Sequence, residues 1–312
     1  MTTNRIDIAA SRPVRRRRSC LTVPGSNPRM LQKSKSLAAD EVILDLEDSV
    51  APSAKEAARE NIVAALAEGG WGEKTVAVRV NEIGSPWHTA DIADLVTPSI
   101  THIDVVMLPK VADATLLAEV DRALSEAEAA ASIAQYTVGL EIQIEDPLGL
   151  SRLDELIEAS PRVETLVFGP GDFMASMQLP SLTIGVADGA AGLVVDSALV
   201  QLAFAARRHG IQVIDGPYAV IDDIAGFDRA AQKVAALGFD GKWVLHPAQV
   251  ERANIAFTPD EALFTRAQTI LEAYSASQTE AGRGAAMFDG EMIDEATRKM
   301  AESVVARGGP RR

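Results

Sequence analysis

Short apolar runs rich in Val, Ile and Leu recur eight times along the chain, and nearly every one closes on a charged or turn-forming residue. They cover residues 20–24, 42–45, 76–79, 105–110, 138–145, 166–172, 211–215 and 243–246. Ala-rich stretches dotted with Glu, Lys and Arg lie between most of them, as over 53–68, 112–130 and 222–237, and each is long enough for a helix. Continuous apolar strands alternating with helices predict a parallel sheet buried on both faces. Eight such beats in about 250 residues fit a closed (β/α)8 TIM barrel, whose active site lies at the carboxyl ends of the strands. Asp45, Glu47, Asp48, Arg79, Lys110, Glu145, Asp172 and Asp215 are then expected to converge on one mouth.

Three regions are expected: a disordered N-terminal segment at 1–17, a barrel at 18–257, and a C-terminal helical extension at 258–312. In the last, Pro259 and the acids after it open a helix running to about Ser277. A small-residue connection follows, then Phe288 to Asp294 and a final helix reaching about Ala306. An ordered segment beyond such a hinge has the form of a lid or a swapped arm.

Acidic residues outnumber basic ones 44 to 30, a net charge of -14 that argues against general affinity for nucleic acid or an anionic membrane. No uninterrupted apolar stretch approaches the roughly 20 residues of a membrane span. The single cysteine, Cys20, falls inside the first strand and is expected in the core, which fits a reducing compartment. The basic run at 15–18 leaves an organelle-targeting role as the lesser alternative to a cytoplasmic enzyme with a frayed N-terminus.

Gathering several carboxylates in one mouth is unfavourable without a cation, since like charges raise one another's pKa. Oxygen donors without a His or Cys cluster point to a hard ion such as Mg2+. Glu145 and Asp172, ending the fifth and sixth runs, are the candidate ligand pair; the alternative is two surface loop acids. Glu141 shares a strand face with Glu145 but is expected lower in the barrel, paired with Arg79 or Lys110. Arg79 is placed to stabilise charge developing on a carbonyl oxygen, to pair with the Asp45/Glu47/Asp48 cluster, or to do both. Asn27 as N-cap and Pro28 at the first helical position open a helix after the first strand, with Arg18, Arg29 and Lys33 nearby to receive a phosphate. A plain strand-to-helix turn is the competing explanation. Neither G-x-x-x-x-G-K-[ST] nor a strand-following G-x-G-x-x-G occurs, and Ser85, Ser176 and Ser197 lack a nucleophile elbow. Among the four histidines, His246 ends the eighth run, and a structural role is expected for it.

Nine segments in order carry a resemblance: Arg18-Ser-Cys-Leu-Thr-Val-Pro-Gly-Ser, Leu44-Asp-Leu-Glu-Asp-Ser-Val, Val78-Arg-Val-Asn81, Leu108-Pro-Lys110, Ile144-Glu-Asp-Pro-Leu-Gly149, Phe168-Gly-Pro-Gly-Asp172, Ile214-Asp-Gly-Pro217, Gly241-Lys-Trp-Val-Leu-His-Pro247 and Met292-Ile-Asp294. Together they resemble the citrate lyase beta subunit-like branch of the HpcH/HpaI aldolase superfamily. The resemblance implies a Mg2+-dependent lyase cleaving a 3-hydroxyacyl-CoA, such as malyl-CoA or citramalyl-CoA, to acetyl-CoA and a 2-oxoacid, glyoxylate or pyruvate. It makes Glu145 and Asp172 the metal ligands, with Glu47 and Asp48 orienting metal-bound water and Arg79 stabilising the enolate. Gly171, Asp172 and Arg79 would bind substrate, and Arg18, Pro24, Arg29 and Lys33 would bind CoA. Asp294 becomes the acid/base, delivered from a neighbouring subunit of a trimer or dimer of trimers. Two alternatives stay open: an acyl-carrier-dependent citrate lyase beta subunit, which the long C-terminal tail disfavours, and a malyl-CoA thioesterase.

Overall fold

All eight apolar runs are strands in the computed structural model, which describes residues 13–281 and 285–308. They are β1 (Ser19–Pro24), β2 (Glu41–Asp45), β3 (Thr75–Arg79), β4 (Val105–Leu108), β5 (Gly139–Ile144), β6 (Val163–Phe168), β7 (Gln212–Asp215) and β8 (Gly241–Val244). Neighbours pair parallel in sequence order, and β8 closes on β1 through the registers Ser19 with Lys242 and Cys20 with Trp243. The result is the expected closed barrel. Every residue of β2 through β6 is buried, as strands covered on both faces require.

Helices cover the outside where the polar-dotted stretches predict them, including Lys55–Glu68, Ala114–Ala130 behind an Asp113 cap, and Ile224–Ala236 behind an Asp223 cap. The helix Gly189–His209 is long and apolar enough to cross a membrane by length and composition alone. Its apolar side is instead spent on the barrel, where Ala198, Leu199, Leu202 and Ala206 are buried against β6 and β7.

Cys20, Ile43, Ala77, Val105, Met107, Val167, Ile214 and Trp243 fill the middle of the barrel. Residues two apart on a strand share a face. Asp45 and Arg79 therefore rise from this apolar layer towards the carboxyl ends, while Glu41 hangs below it. Cys20 is the core residue its position predicts.

The lower layer corrects two expectations. Residues 13–17 are ordered; the first 12 lie outside the described residues. Arg17, 1% exposed, enters the base of the barrel. Its Nε donates to Glu41 Oε2 at 2.9 Å and Glu141 Oε1 at 2.7 Å, its Nη1 to Gln212 Oε1 at 2.6 Å, and its Nη2 to Glu164. Arg15 ties Asp104 and Glu164 alongside, each at 2.9 Å. A run of arginines reads as solvated, but three carboxylates facing the axis cannot be buried without a cation. Glu141 does lie low, yet its partner is Arg17 and not Arg79 or Lys110. Burial, then the charge of Glu141, pushes the Glu41 carboxyl well above its ordinary range.

The chain divides into two compact units, Met1–Asn254 and Ile255–Arg312. In the second, the helices Glu261–Ala281 and Glu295–Ala306 and two short strands, β9 (Ala286–Phe288) and β10 (Glu291–Ile293), share a core of Ala267, Ile270, Tyr274, Ile293 and Ala301. Asp289 and Gly290 turn the hairpin, both at positive φ, as a two-residue Asp-Gly connection favours. The first helix runs beyond the expected Ser277 to Ala281, so part of the anticipated connector is helical; residues 282–284 lie outside the described residues.

Candidate active site

Asp45 and Arg79 end β2 and β3 side by side in register. Arg79 grips both carboxylate oxygens of Asp45, and Asp45 also accepts from the backbone N–H groups of Glu47 (2.9 Å) and Ser49 (3.2 Å). Burial would raise the Asp45 carboxyl, but the guanidinium outweighs it and holds the group below its ordinary range. Arg79 further reaches Glu47 Oε2 at 3.0 Å through Nη1 and rests over the Trp243 ring, 4.9 Å from its centroid. Asp48 is mostly exposed at 3.9 Å from the same nitrogen. Both roles suggested for Arg79 are geometrically compatible: it is ion-paired, and it is fixed at the rim.

Lys55, buried in the first turn of its helix, fastens this loop from behind. Its Nζ donates to the carbonyls of Leu46 at 2.7 Å and Glu47 at 2.8 Å and to Asn81 Oδ1 at 2.6 Å. Asn81 is itself held by Asp91. Nothing in the Ala- and Glu-rich sequence around Lys55 distinguishes it from a solvated helix lysine.

Across the mouth, Glu145 follows β5 and is 3% exposed. Its Oε1 accepts from the Lys110 backbone N–H at 2.7 Å, and its Oε2 from Gln143 Nε2 at 2.6 Å. Lys110 holds a positive φ of 53°, a left-handed conformation costing a residue with a Cβ about 1–2 kcal/mol. Its Nζ crosses to Glu47 Oε1 at 3.0 Å. Gly169 makes the site possible, since a Cβ there would fall on Glu145 Cβ and Oε2. Gln143 is legible in hindsight as the polar centre of the alternation Glu141-Ile-Gln-Ile-Glu145.

Asp172 lies in the first turn of the helix Pro170–Ser176, because β6 stops at Phe168 and Pro170 starts a helix. The expected strand to residue 172 is thus shorter, but the carboxylate still reaches the mouth. Burial, then the charge of Asp172, raises the Glu145 carboxyl to about 8, and Asp172 also acts on Lys110. Two oxygen-donor groups that repel one another in a buried mouth fit a hard divalent cation. Among the described residues no three His, Cys, Asp or Glu side chains converge as a ligand set, so this pair leaves most coordination positions to water or substrate. Ile184 covers Gly171 beside it.

Two candidates are not at the mouth. Arg18 lies at the amino end of β1, where it grips Asp40 at 2.7 and 2.9 Å, at the opposite pole from Pro24. It cannot meet a ligand at the carboxyl ends. Asp215 follows the inward-facing Ile214 and so points outward, where it is buried against Lys242 Nζ. Pro24 does end β1 in register with Asp45, and the helix Pro28–Ser34 opens as expected with Asn27 Oδ1 accepting from Met30 N at 3.1 Å. Arg29 and Lys33 are exposed on that helix. His246 is exposed and accepts from Ala248 N through Nδ1, a local turn contact. In the second unit, Asp294 caps the helix Glu295–Ala306 in a reciprocal box with Thr297, which holds its carboxyl below the ordinary range.

A parallel eight-stranded barrel whose carboxyl-end mouth balances acids against fixed cations defines the class of (β/α)8 enzymes built for charge stabilisation. The chain matches HpcH/HpaI aldolase/citrate lyase over residues 18–247, and it belongs to that family. It is 36% identical over 303 residues to the L-malyl-CoA/beta-methylmalyl-CoA lyase of Cereibacter sphaeroides (strain ATCC 17029 / ATH 2.4.9), covering 94% of this chain and 95% of the relative. It is 32% identical over 296 residues to citrate lyase subunit beta of Escherichia coli (strain K12), covering 95% of this chain and 94% of the relative. The crystal structure of the protein CitE from Mycobacterium tuberculosis in complex with magnesium, acetoacetate and coenzyme A superposes with a TM-score of 0.70 at 27% identity, covering 96% and 98% of the two chains. Because the Escherichia coli subunit spans nearly the whole of this chain, the C-terminal tail does not discriminate against a citrate lyase beta subunit as its length suggested.

Proposed function

We propose that the chain is a Mg2+-dependent carbon–carbon lyase acting on a 3-hydroxyacyl-CoA of the malyl-CoA or citramalyl-CoA type, releasing acetyl-CoA and glyoxylate or pyruvate, or running the reverse condensation. The observation that carries this reading is the meeting of Glu145 and Asp172 in one mouth opposite a fixed Arg79. The likeness to a malyl-CoA lyase over nearly the whole chain supports it. Glu145 and Asp172 would hold Mg2+, which when bound supplies Lewis acidity to the carbonyl and carboxylate of the 2-oxoacid.

The chain's own groups do the rest. Asp294, ionised at rest, takes up the 3-hydroxyl proton; the C2–C3 bond then breaks, the hydroxyl oxygen becomes the carbonyl of the 2-oxoacid, and the electron pair of the broken bond passes to the thioester carbonyl. Arg79, held in place by Asp45 and Glu47, takes the negative charge arriving on that oxygen. Asp294 moves the proton at C2, delivering it in cleavage and removing it in condensation. Held low by its helix cap, it rests ionised and ready as the base. Glu47 and Asp48 orient water at the rim, and Gly171 contacts substrate beside Asp172. Pro24, Arg29 and Lys33 line the side from which CoA would enter. We place the enzyme in the cytoplasm as a homo-oligomer built on trimers, each subunit lending Asp294 to its neighbour.

The likeness to citrate lyase subunit beta favours a second reading, in which the thioester is carried by an acyl-carrier protein. One assay separates the possibilities: Mg2+-dependent cleavage of a panel of 3-hydroxyacyl-CoA thioesters, with free thiol and 2-oxoacid measured independently. Release of 2-oxoacid without thiol is the lyase. Thiol without 2-oxoacid is a thioesterase, and activity only on the carrier-bound thioester is the lyase subunit. Inactivity on every substrate would end the proposal.

A further inference from the structure

Lys110 touches both halves of the mouth with different parts of itself. Its backbone N–H donates to Glu145 Oε1 at 2.7 Å, while its Nζ donates to Glu47 Oε1 at 3.0 Å. We propose that Lys110 is a positioning residue that sets the metal ligand Glu145 through a left-handed backbone and the rim carboxylate Glu47 through its ammonium. The proposal rests on the reading of this mouth as a Mg2+ lyase site.

The backbone half follows from how tightly the neighbours are held. Leu108 is in register with Ile142, and three residues after it Val111 N donates to Gln143 O at 3.3 Å, so the chain is pinned to β5 on both sides of the turn. The Val111 carbonyl is closely covered as well, because a Cβ on Gly149 would strike it. Between these anchors, Lys110 adopts a φ of 53°. That conformation takes its N–H out of the sheet ladder and aims it at Glu145. Gln143 Nε2 fixes the other oxygen at 2.6 Å, so the carboxylate is oriented from two sides before any ion arrives. A Gly would adopt this backbone freely, yet a Lys stands there. The side chain must therefore do something glycine cannot.

What it does is close a clamp. Glu47 Oε2 is held by Arg79 Nη1 at 3.0 Å and Glu47 Oε1 by Lys110 Nζ at 3.0 Å, one oxygen to each cation. Glu47 sits on the β2 loop and Glu145 follows β5, elements that do not adjoin in the barrel. Lys110, at the end of β4, spans them. The Lys110 side chain is 31% exposed, which leaves it within the open mouth and not in the packed wall.

The two halves are separable by substitution. Lys110→Met removes the ammonium and keeps a Cβ of ordinary left-handed tolerance; Lys110→Gly removes it and suits the backbone; Lys110→Val resists the left-handed region because it is β-branched. Mg2+ affinity of the isolated protein, by calorimetry, reads the backbone half. It should stay within about threefold of wild type in the Met and Gly variants and weaken by roughly 10–100-fold in the Val variant, the scale for losing an outer-shell partner of a metal ligand. Turnover reads the ammonium half: kcat should fall on the order of 10-fold or more in both Met and Gly with KM little changed, and Lys110→Arg should restore part of it. Equal Mg2+ affinity in the Val and Met variants would overturn the backbone role, and wild-type kcat in the Met variant would overturn the clamp. Wild-type protein that binds no Mg2+ would remove the functional reading instead. Crystal structures of the Val and Met variants would then decide the positioning, which fails if Glu145 and Glu47 stay where they are in both.

Discussion

Arg79 holds Asp45 by both carboxylate oxygens, Nε to Oδ1 at 2.6 Å and Nη2 to Oδ2 at 2.7 Å, and the two are register partners at the ends of adjacent strands. Each is buried, so removing one leaves the other as an uncompensated charge. Arg79→Ala should therefore destabilise the protein by about 3–5 kcal/mol, measured by urea unfolding, besides abolishing turnover. Arg79→Lys keeps the charge but not the planar fork. It should preserve most of the stability while lowering kcat by on the order of 100-fold, the scale for losing a preorganised donor to an oxyanion. An unchanged urea midpoint in Arg79→Ala would show that Asp45 does not depend on this partner.

The raised Glu145 carboxyl makes the metal-free protein sensitive to pH. Its folded value of about 8 lies above the ordinary 4.5, so the protonated form is favoured by folding and the contribution is lost as pH rises between these values. Within that window each pH unit costs about 1.4 kcal/mol at most. Melting temperature without Mg2+ should fall from pH 5 to pH 8, and saturating Mg2+ should flatten the fall. At pH 7, Mg2+ binding should also release up to about one proton, detected by calorimetry in buffers of different ionisation heat. Asp172→Asn should reduce that release. Proton-neutral binding by the wild type would separate Glu145 from the ion.

Gly169→Ala tests the close approach behind the metal ligand. The added methyl falls on Glu145 Cβ and Oε2 and on Gln143 Nε2 at 2.9 Å, and the backbone of residue 169 is tied to Ile144 O at 3.0 Å, so the side chains must give way. Overpacking of this kind costs about 1–3 kcal/mol. The expected signature is a folded protein with weakened Mg2+ binding; wild-type affinity would mean the pocket yields without moving Glu145.

Asp294 can be divided into its two jobs. Asp294→Asn keeps a side chain that caps helices well, so the second unit should remain intact while turnover drops by on the order of 100-fold, the range of general acid/base help. Asp294→Ala should lose the cap as well and lower the melting temperature. If the Asn variant turns over normally, Asp294 is a capping residue and no more.

The barrel was legible because its signal is local: continuous Val/Ile/Leu runs at helix-length intervals admit few arrangements other than parallel strands in sequence order. Arg79, Glu145 and the Glu47 loop were legible because they end strands, and every strand of a parallel barrel delivers its end to the same pole. Asp172 shows the limit of that logic, arriving at the mouth on a helix start and not on a strand.

Chain position alone could not decide where a charge points or what answers it. Asp215 ends a strand as Glu145 follows one, yet a shift of one residue in facing turns it outward to Lys242. Arg17 and Arg18 look like a solvated basic run, but inward-facing Glu41 and Glu141, contributed by distant strands, draw Arg17 into the barrel axis, and Asp40 takes Arg18 at the base. Lys110 and Gly169 acquire meaning only from the carboxylate they flank from the adjoining strands. Periodicity is written along one dimension and fixes which elements form. Charge pairing is a property of three-dimensional neighbours far apart in sequence, so only the closed barrel settles which ions are buried together and which face the mouth.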